Sequence, residues 1–328
     1  MHDTTPVIET AAGSVRGRRT GGVQAFLGIP YAAPPSGPDR LRAPQPVTPW
    51  TGIRDATGYG PTVPKSEYPE FVRPLLPEVT IPGQDCLNLN VWTPGTSAAG
   101  LPVFVWIHGG SFTSGSGANA EYDGTAFARD GVVCVTLNYR LGADGFLELP
   151  DADTNRGLRD MIAALEWVRG NIAAFGGDPG RVTLAGESAG AMAVAALLAV
   201  PAARGLFARA VLESGAASNV LTSAQAALVT ERLTARLGVP ATRLGVAAVP
   251  AARLIEAVTA LGQEVRSPSA PAGWGGLAQL LPFAPSVDGE LLPRPPLDAA
   301  ADPAGQVAVL IGTNRDEARL FLVPGGLI

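Results

Sequence analysis

Hydrophobic and polar positions change period several times along this chain. Over 7–29, apolar and small residues alternate around Gly13, Gly17, Gly21 and Gly22, which predicts short antiparallel strands. Residues 30–84 are rich in proline and show little periodicity, so they are read as a long ordered loop region. Apolar runs predict strands at 87–92, 103–107 and 132–137. Leu158, Met161, Ile162, Leu165, Val168 and Ile172 recur at helical spacing and predict a helix over 155–174. Thr154 or Asn155 is its expected N-cap, and Gly176 with Gly177 its stop. A strand at 182–185, an Ala/Leu-rich helix at 189–199 and a strand at 210–213 follow. Helices are expected at 224–237 and 250–261, a Pro/Gly/Ser-rich loop at 267–276, and a last strand at 307–311. Strands alternating with helices imply an α/β fold, with a mostly parallel central sheet and helices on both faces. Such sheets bind ligands beyond the carboxyl ends of their strands. No internal repeat is present, and 1–328 reads as one domain.

Composition narrows the partners. The chain has 328 residues, 46% of them hydrophobic and 16% charged, enough for one large core. Its net charge of −5 steers it toward neither nucleic acid nor an anionic membrane. Residues 1–6 hold no basic region followed by an apolar run, so a signal peptide is not expected. The longest apolar run, 191–203, is broken by Pro201 and too short to span a bilayer. The two cysteines, Cys86 and Cys134, are read as free thiols in a reducing, cytoplasmic setting.

The candidate chemistry is concentrated in 175–190. There the strand at 182–185 runs into Gly186-Glu187-Ser188-Ala189-Gly190 and then directly into a helix. A G-x-S-x-G sequence in that setting is a nucleophile elbow. The sharp turn holds the serine in a strained backbone position, and the glycines keep side chains out of the crowded bend. Ser188 Oγ would stand clear at the sheet edge, with a helix N-terminus behind it that favours negative charge.

The sixteen residues from Phe175 to Gly190 resemble the serine signature of the type-B carboxylesterases, which include cholinesterases and bacterial para-nitrobenzyl esterases. Further pieces similar to the family occur in its order. They are Phe26 to Ala32, Asp85-Cys86-Leu87 with Asn90 to Pro94, Trp106 to Phe112, Asn138 to Gly142, and Gly312 to Glu317. The resemblance implies an α/β-hydrolase fold and a serine ester hydrolase that needs no cofactor and no metal. It implies Ser188 as nucleophile and Glu317 as the acid of the triad, with Ala318 where the family has glycine. The oxyanion donors would be the backbone N–H groups of Gly110, Ser111 and Ala189. Glu187 and Ser214 resemble the residues that support the serine and the acid. The 30–84 region would partly wall the active-site entrance. In secreted cholinesterases Cys86 has a disulfide partner upstream, where this chain has Val63. No tryptophan lies between Trp50 and Trp92 to hold a quaternary ammonium by cation–π contact, so the expected substrate is a neutral carboxylic ester. Leu281 and Phe283 read equally well as acyl-pocket lining and as core.

The family's catalytic histidine lies well after the acid, and no histidine follows Glu317 here. The sequence contains only His2 and His108; the first lies in a terminus expected to fray, and the second begins the oxyanion loop, a structural position in the family. Three readings stay open: a truncated carboxylesterase lacking a C-terminal segment that supplies the histidine; an inactive esterase-like remnant or interaction module; and a half-enzyme completed by a second polypeptide. Truncation would remove the last strand or strands and their helices, leaving an unpaired apolar edge near 307–311.

Overall fold

The computed structural model describes residues 6–267, 281–299, 307–317 and 319–326. Its strands are β1 (Val7–Thr10), β2 (Gly13–Arg16), β3 (Arg18–Thr20), β4 (Val23–Pro30), β5 (Ile53–Asp55), β6 (Asn88–Thr93), β7 (Leu101–Ile107), β8 (Val133–Leu137), β9 (Gly177–Glu187), β10 (Arg209–Glu213) and β11 (Ala308–Gly312). The helices are α1 (Thr125–Arg129), α2 (Gly142–Phe146), α3 (Arg156–Asn171), α4 (Ala189–Ala199), α5 (Ser223–Leu237), α6 (Arg243–Ala247), α7 (Ala251–Arg266), α8 (Pro296–Ala299) and α9 (Arg319–Leu322).

Eight strands form the central sheet in the order β11-β10-β9-β7-β8-β6-β4-β3, and β1, β2 and β5 form a small separate sheet. From β11 across to β8 all neighbours are parallel; β6, β4 and β3 extend the sheet antiparallel. The parallel part carries the candidate chemistry. Strand period sorts side chains to two faces. Phe26, Val91, Val103, Val105, Val133 and Val135 enter the main core, which α3 lines with Leu158, Met161, Leu165 and Val168. Their alternates Ala25, Leu27, Trp92, Phe104 and Cys134 form a smaller cluster on the other face, with Ala128 of α1.

Strand order reverses at β7. The chain leaves β7 toward β8 on one side and leaves β9 toward β10 on the other. Loops that diverge in this way open a crevice beyond the carboxyl ends of β7 and β9. Helix α4, which follows β9, is apolar around its whole circumference, and only Met192 and Leu198 escape full burial. Such a helix must be buried on all sides, and its alanines let it lie close against β7, β9 and β10.

Several local expectations are corrected. Neither Thr154 nor Asn155 caps α3. Asn155 stands at the N-cap position with φ 50° but makes no capping bond. Its side chain instead donates to Ser286 O and Asp288 Oδ2 and accepts from Ser286 N, while Thr154 donates to Asp288. Distant partners outcompete the local helix amides. The helix stops at Asn171, a 3₁₀ turn over Ile172–Phe175 follows, and Gly176 closes that turn at φ 86°. Helix α7 runs to Arg266 rather than 261, because Leu261 and Val265 still face the core. The 30–84 region is ordered and pinned by buried Leu41, Ala56, Val63 and Val72. Cys86 and Cys134 are free, buried thiols, both pushed up to about 12 by burial. Most of the 267–276 loop lies outside the described residues. Among the described residues, no helix is long and apolar enough to cross a membrane.

Candidate active site

Strand β9 ends at Glu187 and α4 begins at Ala189, which leaves Ser188 alone in the bend at φ 53°, ψ −122°. A non-glycine residue in such a conformation is strained and persists only where its surroundings over-determine it. Here Ser188 N donates to Glu213 O at 2.8 Å, and Ser188 O accepts from Met192 N at 3.0 Å. The flanking glycines are required by space. A Cβ on Gly186 would lie 2.5 Å from the Gly190 carbonyl carbon, and one on Gly190 only 2.1 Å from Ile107 O. Sequence reasoning missed a third glycine, Gly215, whose Cβ would meet Ser188 O at 2.3 Å. The strand-ending Ser214-Gly215 pair was the available signal.

The loop after β7 lies directly against this elbow, because Ile107 is in register with Gly186. A Cβ on Gly109 would come within 2.9 Å of Glu187 Oε2 and 3.3 Å of Ser188 Cβ. Three consecutive residues then adopt positive φ: Gly110 at 111°, Ser111 at 55° and Phe112 at 58°. Among the described residues, the backbone N–H groups of Gly110, Ser111 and Ala189 donate to no other group. His108 underlies the loop. Its ring is buried, stacks on Tyr139 at 4.5 Å between centroids, and lies 2.8 Å through Nδ1 from Gly109 O, a contact the Nδ1–H tautomer makes by donating. Burial pushes its pKa down to about 4, so the ring is neutral. Tyr139 OH donates to His108 O at 2.9 Å. His2 lies outside the described residues.

The next parallel strands bring up the carboxylates. Ser214, just past β10, has φ 54°, and its N–H donates to Gly312 O at 2.8 Å. Its hydroxyl donates to Glu317 Oε1, which also accepts from Asn314 N at 2.6 Å. These two bonds, the Ser214 one foremost, hold the exposed Glu317 carboxyl below its ordinary pKa. Ser188 and Ser214 follow neighbouring parallel strands, so Glu317 stands at the same sheet edge as Ser188. Among the described residues no hydrogen bond joins Ser188 to Glu317. Glu187 faces Glu213 in register across β9 and β10. Burial, followed by Glu317 and then Glu213, pushes the Glu187 carboxyl up to about 7. Glu213 belongs to this group and carried no signal beyond its place at a strand end. Phe283 is fully buried in the main core with Leu281 packed against that core, which favours the core reading of both.

The profile of the carboxylesterase family matches residues 4–325. The chain is 43% identical to the para-nitrobenzyl esterase of Bacillus subtilis, over 98% of this chain and 65% of that protein. It is 40% identical to the phenmedipham hydrolase of Pseudarthrobacter oxydans, over 96% of this chain and 62% of that protein. A solved PNB esterase superposes with a TM-score of 0.85 at 42% identity, covering 97% of this chain and 65% of the other. A Geobacillus stearothermophilus carboxylesterase gives 0.84 at 40% identity, with 97% and 63% covered. The chain thus spans somewhat under two thirds of the relatives it matches, with the serine elbow, the His-Gly-Gly loop and the α/β-hydrolase sheet inside the shared region. It belongs to the carboxylesterase family.

Proposed function

We propose that the chain carries the nucleophile half of a serine carboxylic-ester hydrolase acting on small neutral esters. The observation that carries this reading is the strained Ser188 packed against the Gly109–Ser111 turn. Ser188 Oγ would attack the ester carbonyl carbon, and the carbonyl oxygen would take the negative charge. The N–H groups of Gly110, Ser111 and Ala189 are assigned to that oxygen, where preorganised donors lower the barrier most. A histidine base would take the Ser188 proton and hand it to the leaving alcohol, leaving an acyl group on Ser188, and would then take a proton from the water that releases the acid. Glu317, with Ser214, is assigned to orient and stabilise a histidine, and Glu187 to line the same edge.

That histidine is not among these residues. His108 is buried, neutral and committed to the loop, so it is not assigned as base. In this reading a segment beyond residue 328 supplies it. A polypeptide of these residues alone would then retain only the oxyanion and binding contribution, on the order of 10³–10⁴-fold over water in hydrolases stripped of a triad member.

The test compares this 328-residue chain with a chain extended through the family's C-terminal third, using p-nitrophenyl acetate. The extended chain should turn over rapidly and lose that activity on Ser188→Ala, while the short chain should be slow. Fast turnover by the short chain that disappears on His108→Ala would show that the base was wrongly assigned. An extended chain that is folded but inactive would leave the interaction-module reading standing.

A further inference from the structure

Three successive positive-φ residues, two of them not glycine, do not hold their shape unaided. Part of the support is local: Thr113 N and Ser114 N donate to Gly110 O at 3.0 and 2.8 Å, and Gly142 N donates to Phe112 O at 2.7 Å. The rest comes from the irregular segment 62–81. Ser66 N donates to Thr113 O at 2.8 Å, and Ser114 Oγ donates to Ser66 O at 2.8 Å. Lys65 and Glu78 then grip both backbone groups of Gly115. Glu78 Oε1 accepts from Gly115 N, and Lys65 Nζ donates to Gly115 O at 3.3 Å and to Val79 O at 2.8 Å. The two charges lie 3.7 Å apart, with side chains only 4% and 12% exposed.

A buried ion pair rarely stabilises a fold better than apolar side chains of the same size, so its presence asks for another reason. Gly115 supplies one. A Cβ there would lie 2.4 Å from Gly109 O and 2.5 Å from His108 Nδ1, so Gly115 is packed directly behind the residues that touch Ser188. A Cβ on Gly110 would likewise meet Ser114 O at 2.2 Å. Displacement of Gly115 is therefore passed to Gly109 and Gly110 by contact.

We propose that Lys65 and Glu78 are positioning residues for the oxyanion hole, clamping Gly115 so that Gly110 and Ser111 hold their N–H groups toward Ser188. This inference rests on the reading of Ser188 as an ester-hydrolysing nucleophile.

The test uses Glu78→Gln and the double variant Lys65→Met/Glu78→Leu. The double variant keeps the volume and leaves no orphan charge, and removing the pair's desolvation cost offsets the hydrogen bonds that Gly115 N and O lose, so the fold should persist with a thermal midpoint close to the parent's. Hydrogen exchange at the Thr113 and Ser114 amides should nevertheless quicken by about tenfold, while amides elsewhere hold. In the extended chain, kcat for the Ser188-dependent reaction should fall by about tenfold with KM little changed, less than the roughly 10²–10³-fold cost of deleting a donor outright. Glu78→Gln keeps an oxygen for Gly115 N but leaves the buried Lys65 ammonium without its counter-ion, so it should lose thermal stability while its kcat stays closer to the parent than that of the double variant.

Unchanged exchange in the double variant would overturn the proposal. So would exchange that rises everywhere in step with lost stability, or faster local exchange with kcat intact. If the parent shows no Ser188-dependent turnover, the hydrolase reading fails, and the exchange arm alone decides whether the clamp exists.

Discussion

Ser214 and Glu317, separated by 103 residues in sequence, meet at the ends of neighbouring parallel strands, where the Ser214 hydroxyl donates to the Glu317 carboxylate. The same oxygen accepts from Asn314 N at 2.6 Å, so the carboxylate is fixed from two sides although it is exposed to solvent. Ser214 itself stands at φ 54°, a positive φ like the 53° of Ser188.

Removing the Ser214 hydroxyl should free this carboxylate. The Glu317 pKa is depressed chiefly by Ser214 and then by Asn314 N, so Ser214→Ala should let it rise toward the ordinary glutamate value. Titration followed by NMR with Glu317 labelled would show the change. An unmoved Glu317 pKa would mean that the hydrogen bond does not set its protonation.

Glu187 makes stability depend on pH. Its carboxyl is pushed up to about 7 in the fold, against roughly 4.3 for a free glutamate. Between those values the native state holds a proton that the unfolded chain has released, so stability falls as pH rises through that window. Burial raises the Tyr68 and Tyr122 hydroxyls, and nearby carboxylates, Glu187 among them, add to it. Glu187→Gln should therefore help more at pH 8 than at pH 5, by on the order of 1 kcal/mol once partial exposure is allowed for. Urea unfolding at the two pH values measures this, and an equal effect at both would refute the assignment.

The elbow should tolerate no side chain at position 190. In Gly190→Ala the new methyl would sit 2.1 Å from Ile107 O, a backbone atom at the end of β7 that cannot rotate away. Overpacking of this kind costs roughly 3 kcal/mol. Denaturant midpoints should drop accordingly; a midpoint within error of the parent would show that β7 and α4 can separate without penalty.

Among the described residues, strand β11 is the outer strand of the central sheet and pairs only with β10. It exposes Val309, Leu310 and Ile311 at 51%, 67% and 58%, and Leu320, Phe321 and Val323, which follow it in sequence, are exposed too. An apolar unpaired edge invites pairing with another chain, and a lysine placed there opposes it. The 328-residue polypeptide should bind hydrophobic dyes and self-associate as its concentration rises, and Leu310→Lys should reduce both. Light scattering that is flat with concentration in the parent would count against this.

The parts legible in the sequence were those whose cause is local. The 3.6-residue spacing of Leu158, Met161, Leu165 and Val168 gave α3, and the continuous apolar run gave α4 to the residue. The order strand, Gly186-Glu187-Ser188-Ala189-Gly190, helix gave the elbow, because the bend needs glycines at fixed offsets from the serine. Helix ends were less legible. Asn155 has the right chemistry for a cap, yet it spends its hydrogen bonds on Ser286 and Asp288, 131 and 133 residues away.

By itself, then, the sequence determined the central strands β6 to β11, the long helices α3, α4, α5 and α7, where the serine bends the chain, and the two glycines that flank it, since each follows from backbone dihedrals and side-chain periodicity within a short window; the short elements β5, α1, α2 and α6 carry too few residues for a period to show. Only the tertiary structure decided that Ser214 holds Glu317, that Glu187 faces Glu213, that Gly215 must be bare beside Ser188, and that Lys65 and Glu78 close on Gly115. Those relationships depend on strand order and on the register between β7, β9, β10 and β11, which bring together residues that no local pattern connects.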